Sequence, residues 1–184
     1  SFTDGNGNVS TQTQNVIIND ISAPITNLTV LPDITDECSI TSLTPPTATD
    51  NCSGVIVGTT TTILPLTSQG TTVITWSYED ASGNINTQTQ NVIINDVTAP
   101  IADSLVLVDI TDECSITSLT PPTATDNCSG SIVGTTSTVL PITSQGTTLI
   151  TWIYEDASGN ISTQTQNVII DDITAPLADS LLLV

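Results

Sequence analysis

The chain has 184 residues, 19 of them acidic and none Lys, Arg or His, for a formal charge of −19. Nucleic acid, phosphate ligands and anionic membranes are recognised through cationic side chains, so this segment has no nucleic-acid partner and makes no membrane contact, while acid–base catalysis at neutral pH would rest on carboxylates alone. Apolar residues make up 38 % of the chain and fall in patterned runs, which predicts folded domains rather than a disordered acidic tract.

The stretch 25–100 returns as 101–176 without insertion or deletion, so the elements are described once, in the first of these copies. No stretch carries an apolar period of helical length, and β-branched residues crowd throughout. Short strands are predicted over 28–34 and 38–43. Residues 45–51 begin Pro45-Pro46 and read as an irregular crossing, since prolines are excluded from central strands. Extended structure resumes over 55–63, and 64–70 turns back. The strongest signals are 71–78 and 86–94, joined by Glu79-Asp80-Ala81-Ser82-Gly83-Asn84 as a β-hairpin. Alternation places Ile74, Trp76 and Tyr78 on one face and Val73, Thr75 and Ser77 on the other. Pairing symmetric about Ser82 sets Trp76 opposite Gln88 and Tyr78 opposite Asn86. Six or seven short strands in each copy predict a small β-sandwich. The junction Asn95-Asp96-Val97-Thr98-Ala99-Pro100 holds no Gly/Ser linker, and its proline restricts the hinge, so tandem copies are expected to form an elongated rod.

Residues 25–100 and 101–176 differ at only 14 of 76 positions. Thr35-Asp36-Glu37-Cys38 returns as Thr111-Asp112-Glu113-Cys114, Trp76 as Trp152, and Asp20, Asp96 and Asp172 keep the same interval. Residues 1–24 read as the C-terminal part of a preceding repeat and 177–184 as the start of a following one, as in a segment of a longer array. One active site needs one constellation, whereas near-identical copies provide length and multivalency, so the chain is read as non-enzymatic.

Each copy holds two cysteines, Cys38 with Cys52 and Cys114 with Cys128. Two thiols without a histidine make a poor zinc site. A disulfide within each repeat is therefore expected, closing a loop of about 14 residues and stabilising a small domain by about 3 kcal/mol. Disulfides place the protein outside the cytoplasm.

Four ordered motifs carry a family resemblance: Pro45-Pro46-Thr47-Ala48-Thr49-Asp50-Asn51-Cys52-Ser53-Gly54; Gln69-Gly70-Thr71-Thr72-Val73; Glu79-Asp80-Ala81-Ser82-Gly83-Asn84; and Asp96-Val97-Thr98-Ala99-Pro100. Together they resemble the hyalin repeat (HYR) family. The resemblance implies immunoglobulin-like extracellular domains associated with adhesion, with the first cysteine pair of the family at Cys38 and Cys52. Many members have a second pair, and here its positions hold Trp76 and Gln88. Thr-Gln-Thr-Gln-Asn-Val-Ile-Ile over 87–94 is similar to repeats of giant surface proteins of gliding Bacteroidota, exported by the type IX secretion system.

Acids gather at Asp33, Asp36 and Glu37, at Glu79 and Asp80, and at Asp96 beside Asn95. Hairpin tips and interdomain junctions lie at the ends of a sandwich, so Asp80, Asn84, Asp96, Asp156, Asn160 and Asp172 are the candidate calcium (Ca2+) ligands, as clustered oxygen donors suit that ion. The competing reading has Asp80 and Asn84 shaping the turn and Asp36 solvated. Asp103-Ser104-Leu105 and Asp179-Ser180-Leu181 resemble the Bacteroidota O-glycosylation signal and make Ser104 and Ser180 candidate acceptors. Trp76 and Trp152 are expected in the core rather than on sugar-stacking surfaces, and the threonines of 87–94 are too few for an ice-binding ladder. The function expected is a stalk segment of a long cell-surface adhesin filament, in gliding motility or surface attachment. Its partners would be neighbouring repeats, with a surface or polysaccharide target bound through other regions. The alternatives are a structural extracellular matrix or sheath fibre, or a spacer within a large secreted enzyme.

Overall fold

The structure is a computed structural model that describes residues 1–178. Ser180, and the part of the 177–184 segment beyond Pro176-Leu177-Ala178, lie outside the described residues. Regular structure is entirely β, with no helix among the described residues. Residues 1–24 contribute β1 (Phe2–Thr3) and β2 (Val9–Ser10), paired antiparallel. The first copy contributes β3 (Ile25–Thr26), β4 (Ile34–Asp36), β5 (Thr47–Asp50), β6 (Gly54–Val57), β7 (Gly70–Glu79) and β8 (Ile85–Ile94). The second copy repeats them as β9 (Ile101–Ala102), β10 (Ile110–Asp112), β11 (Thr123–Asp126), β12 (Gly130–Val133), β13 (Gly146–Glu155) and β14 (Ile161–Ile170).

In the second copy β9, β11 and β12 form one sheet, in the order β12-β11-β9, and β10, β13 and β14 form the other, in the order β10-β14-β13. β13 and β14 are a long antiparallel hairpin with Trp152 opposite Gln164 and Tyr154 opposite Ser162, the register expected from pairing about the Ser-Gly-Asn tip. β10 joins β14 in parallel, Ile110 beside Val168 and Asp112 beside Ile170. Between the sheets lie Ala124, Ile142, Ile150, Trp152, Tyr154, Val168 and Ile170, with Ile110 and Ile132 packed against them. These are the inward positions of strands whose side chains alternate between faces, which is why Ile150, Trp152 and Tyr154 are buried while Leu149 is 62 % exposed. The tandem copies are immunoglobulin-like β-sandwiches in their sheet organisation.

The compact units of the chain do not follow the period of the repeat. One comprises Ser1–Asp33, Leu43–Ile63 and Val73–Asn91, and the other Ile34–Ser42, Leu64–Thr72 and Val92–Val184. In the first unit Ala48, Ile74, Trp76 and Tyr78 are buried, and β5 pairs with β3 and β6. In the second, the end of β8 pairs in parallel with β4, Ile34 beside Val92 and Asp36 beside Ile94.

Four expectations for individual strands fail. Residues 38–43 hold only an isolated bridge, Ile40 beside Leu66, and the strand expected over 55–63 ends at Val57, with a single bridge at Thr59 beyond it. Residues 28–33 are not a strand: pairing begins only at Ile34, and glutamine side chains take the place of a ladder. Gln88 Nε2 donates to Leu28 O at 2.9 Å and Gln90 Nε2 to Pro32 O at 2.8 Å, and in the second copy Gln164 and Gln166 donate to Ser104 O and Val108 O. Conversely, the irregular crossing over 45–51 contains β5, the central strand of its sheet. Both prolines precede the ladder, and Pro46 keeps its carbonyl, which accepts the Gly58 N–H at 2.8 Å. The proline exclusion holds for Pro45 and Pro46 but not for Thr47–Asp50.

Candidate functional site

The second compact unit contains the junction at which the first copy ends and the second begins. Strand register decides which groups meet there. In the second copy Thr125 pairs with Ile101, so the β11–β12 turn carrying Asp126, Asn127, Cys128 and Ser129 lies at the leading end of that copy. The β13–β14 tip lies there too, since Ala157 N donates to Ser129 Oγ at 3.2 Å. Asp112 pairs with Ile170, and Asp171 N donates to Asp112 O at 3.0 Å. Cys114, just beyond Asp112, therefore sits at the trailing end. The two cysteines of one copy are thus at opposite ends.

This overturns the pairing expected within each repeat. Cys38 is bridged to Cys128, 90 residues away, with Cα atoms 5.0 Å apart, and Cys52 and Cys114 are free and exposed. The bridge joins the trailing end of one copy to the leading end of the next. The interval from Cys38 to Cys128 is that from Cys38 to Cys52 plus one period, so the two pairings are equally regular along the chain and spacing alone could not separate them.

Polar contacts surround the bridge. Glu37 Oε2 accepts from Thr98 Oγ1 at 2.6 Å and from Asn127 Nδ2 at 2.8 Å. Gln69 holds both sides of the trailing end, donating to Glu37 O at 3.1 Å and accepting from Asp96 N at 3.0 Å. Ser158 Oγ and Asn160 Nδ2, from the hairpin tip, reach Asp96 Oδ2 and Asp96 O at 3.2 and 3.1 Å.

Asp96, Asp126 and Asp156 converge here, each buried and each offering a carboxylate oxygen within 4.8 Å of the others. Local turns hold them in place. Asp126 Oδ1 accepts the N–H groups of Cys128 and Ser129, and Asp156 Oδ1 those of Ser158 and Asn160. Burial works against the Asp156 carboxylate, but the side-chain amide of Asn160 and the N–H groups of Asn160, Ser158 and Gly159 outweigh it and hold its pKa below the usual value. Carboxylate oxygens within 4.8 Å of one another repel, and the chain has no basic side chain to offset this.

Of the candidate calcium ligands, the structure brings Asp96, Asp156 and Asn160 together. Asp80 and Asn84 form the same tip in the first copy, where Asn84 Nδ2 donates to Asp80 Oδ2 at 2.8 Å and to Asp20 O at 3.2 Å. Asp172 is exposed and outside both groups. Asp126 and its counterpart Asp50 were missed. Each closely precedes a cysteine, and its turn is what delivers that cysteine to the leading end. Asp20 and Asp50 lie within reach of the Cys52 sulfur. Desolvation, followed by the carboxylates of Asp20, Asp50 and Asp80, pushes the Cys52 thiol pKa up. Asp36 shapes a turn, accepting from Cys38 and Ser39 N–H. Ser104 is exposed, with its carbonyl taken by Gln164. Trp76 and Trp152 are 2 % exposed, so neither presents a sugar-stacking face.

Near-identical immunoglobulin-like sandwiches bridged by a disulfide define a tandem structural repeat of a kind suited to extracellular proteins. The family model for the HYR-like domain with 4 cysteines matches residues 37–94 and 96–170, and the chain belongs to that family. Each copy here has two cysteines. The chain is 37 % identical to hyalin of Strongylocentrotus purpuratus over 147 residues, 73 % of this chain, and 30 % identical to hyalin of Lytechinus variegatus over 190 residues, 94 % of it. It spans 12 % and 36 % of the lengths of those relatives.

Proposed function

We propose that the chain is a non-enzymatic stalk segment of a long extracellular adhesin, in which copies of one domain are linked end to end and a target is bound through other regions. The observation that carries this reading is the Cys38–Cys128 bridge, which joins successive copies covalently outside the backbone. A pull along the chain then crosses this junction by two routes, the backbone through Asp96–Pro100 and the disulfide. A catalytic domain has no use for such a link, whereas a load-bearing array does. Attachment at a cell surface, export by a type IX system and a part in gliding motility form the finer reading, supported by the likeness of 87–94 to repeats of such proteins.

The test is made in the full-length protein. Removing whole copies is expected to preserve folding and secretion while adhesion weakens with each copy removed. Adhesion that is independent of copy number, together with direct binding of the target by the segment 1–184, would sink the stalk reading. Fibres that associate laterally in the purified segment would favour a matrix or sheath.

A further inference from the structure

The junction holds a feature that the disulfide does not explain. Asp126 is 4 % exposed, and its Oδ2 is buried without a hydrogen-bond donor. Its carboxylate lies with those of Asp96 and Asp156, themselves 4 % and 7 % exposed. Three carboxylates thus share a desolvated space in a chain with no cationic side chain. Burial of like charges without compensation is strongly unfavourable. The turns that accept N–H groups on the Oδ1 atoms fix the carboxylates without neutralising them.

Geometry selects among the ways of supplying the missing charge. Oxygens bound to one calcium ion at about 2.4 Å can be no more than about 4.8 Å apart, and the three carboxylate oxygens fall within 4.8 Å of one another. We propose that Asp96, Asp126 and Asp156 ligate one calcium ion, with Asp126 Oδ2 as the ligand that has no other partner. The ion ties the trailing end of one copy, through Asp96, to two separate turns at the leading end of the next. The same acids recur one period earlier: Asp20 and Asp50 each have a buried Oδ2 without a hydrogen-bond partner, and Asp80 stands where Asp156 does in its copy. There the groups within reach of one another are Asp20, Asp50 and the Cys52 sulfur, without Asp80, so the ion is assigned at Asp96, Asp126 and Asp156 alone. The proposal stands apart from the stalk reading, since the ion would bind whatever the array carries.

The test is calorimetric titration of calcium chloride into the oxidised chain 1–184 after chelator treatment and dialysis. Asp126→Asn keeps the oxygen that accepts the Cys128 and Ser129 N–H groups and removes the charge of Oδ2. It is expected to bind one calcium fewer than the unsubstituted chain, with an unchanged circular dichroism spectrum. Asp156→Asn, which also keeps its turn acceptor, should lose the same ion and serves if Asp126→Asn fails to fold. Asp109→Asn, an exposed acid remote from the cluster, should leave the stoichiometry intact and excludes a general effect of charge. The proposal is overturned if there is no saturable binding up to about 10 mM calcium, above the range of extracellular modules, or if the folded Asp126→Asn or Asp156→Asn chain retains the full stoichiometry.

Discussion

Trp152 shows how one side chain sets a copy in order. It is 2 % exposed, fills the space between the sheets and donates Nε1–H to Gln166 Oε1 at 3.0 Å. Trp152→Ala is expected to cost about 3–5 kcal/mol, read as a lower denaturant midpoint without a change in any ligand affinity. Gly134 has a less visible role. A Cβ there would meet Tyr154 Cε1 at 3.0 Å and Pro122 O at 3.2 Å, so the chain passes between Tyr154 and Pro122 with no room for a methyl group. Gly134→Ala should cost about 1–3 kcal/mol through overpacking, and Gly58→Ala a similar amount, since it meets Tyr78 in the same way. Asp80 and Asp156 give the acid dependence its sign. Burial raises the pKa of each, the tip hydrogen bonds outweigh it, and both end below the ordinary value near 4. Their stabilising effect is thus complete above about pH 4 and is lost as pH falls through the lower folded values. Chain stability in chelator, followed from about pH 5 to about pH 2, should fall less steeply in the Asp80→Asn, Asp156→Asn double variant. An equally steep fall would show that other acids control it.

At the scale of elements, the Thr-Gln-Thr-Gln run explains why each copy can leave a segment unpaired. The glutamines of β14 receive the Trp152 and Tyr154 donors on their oxygens and return their amides to Ser104 O and Val108 O. A stretch without ladder partners is thereby pinned to the long hairpin. Gln166→Ala leaves the Trp152 N–H without its acceptor, at about 1–3 kcal/mol, and releases the exposed Val108 carbonyl from its side-chain tie. Limited proteolysis should then open the chain near 103–109 before any other site. The bridge is the other inter-element device. Non-reducing peptide mapping should recover Cys38 joined to Cys128, with Cys52 and Cys114 labelled by alkylation. The Cys52 label should rise the more slowly as pH is lowered towards neutrality, because desolvation and then its neighbouring carboxylates disfavour the thiolate. A loop of this length lowers the entropy of the unfolded chain by the equivalent of about 4–5 kcal/mol, more than a bridge within one copy.

For the whole molecule, the arrangement predicts what happens when one period is removed. Deleting residues 39–114 leaves a chain in phase, with Cys38 and Cys128 as its two remaining cysteines, now at the spacing of a pair within one copy. Register sets such a pair at opposite ends of a sandwich. The shortened chain should keep its β circular dichroism and present two free thiols under oxidising conditions. An intramolecular disulfide in that chain would show that the ends of a copy are not as far apart as its strand pairing requires.

Much of this was legible along the sequence. The alternation at Ile74, Trp76 and Tyr78 selects the buried face, because a strand has only two faces, and the Ser-Gly-Asn tip sets the hairpin register, because so short a turn leaves one way to pair. The period itself, the absence of cations and the turn-forming aspartates are also sequence properties. Tertiary structure alone decided which cysteine meets which. Cys114 and Cys128 look like partners until the pairing of β11 with β9 and of β10 with β14 sends them to opposite ends. It also decided that Asp126 joins Asp96 and Asp156, three residues spread along the whole second copy and its junction that no local pattern connects. The carbonyls of 28–33 were out of reach for the same reason: their partners are Gln88 and Gln90, on the last strand of the copy. Local sequence fixes conformation over a few bonds, whereas contacts across a copy depend on where each strand is laid down.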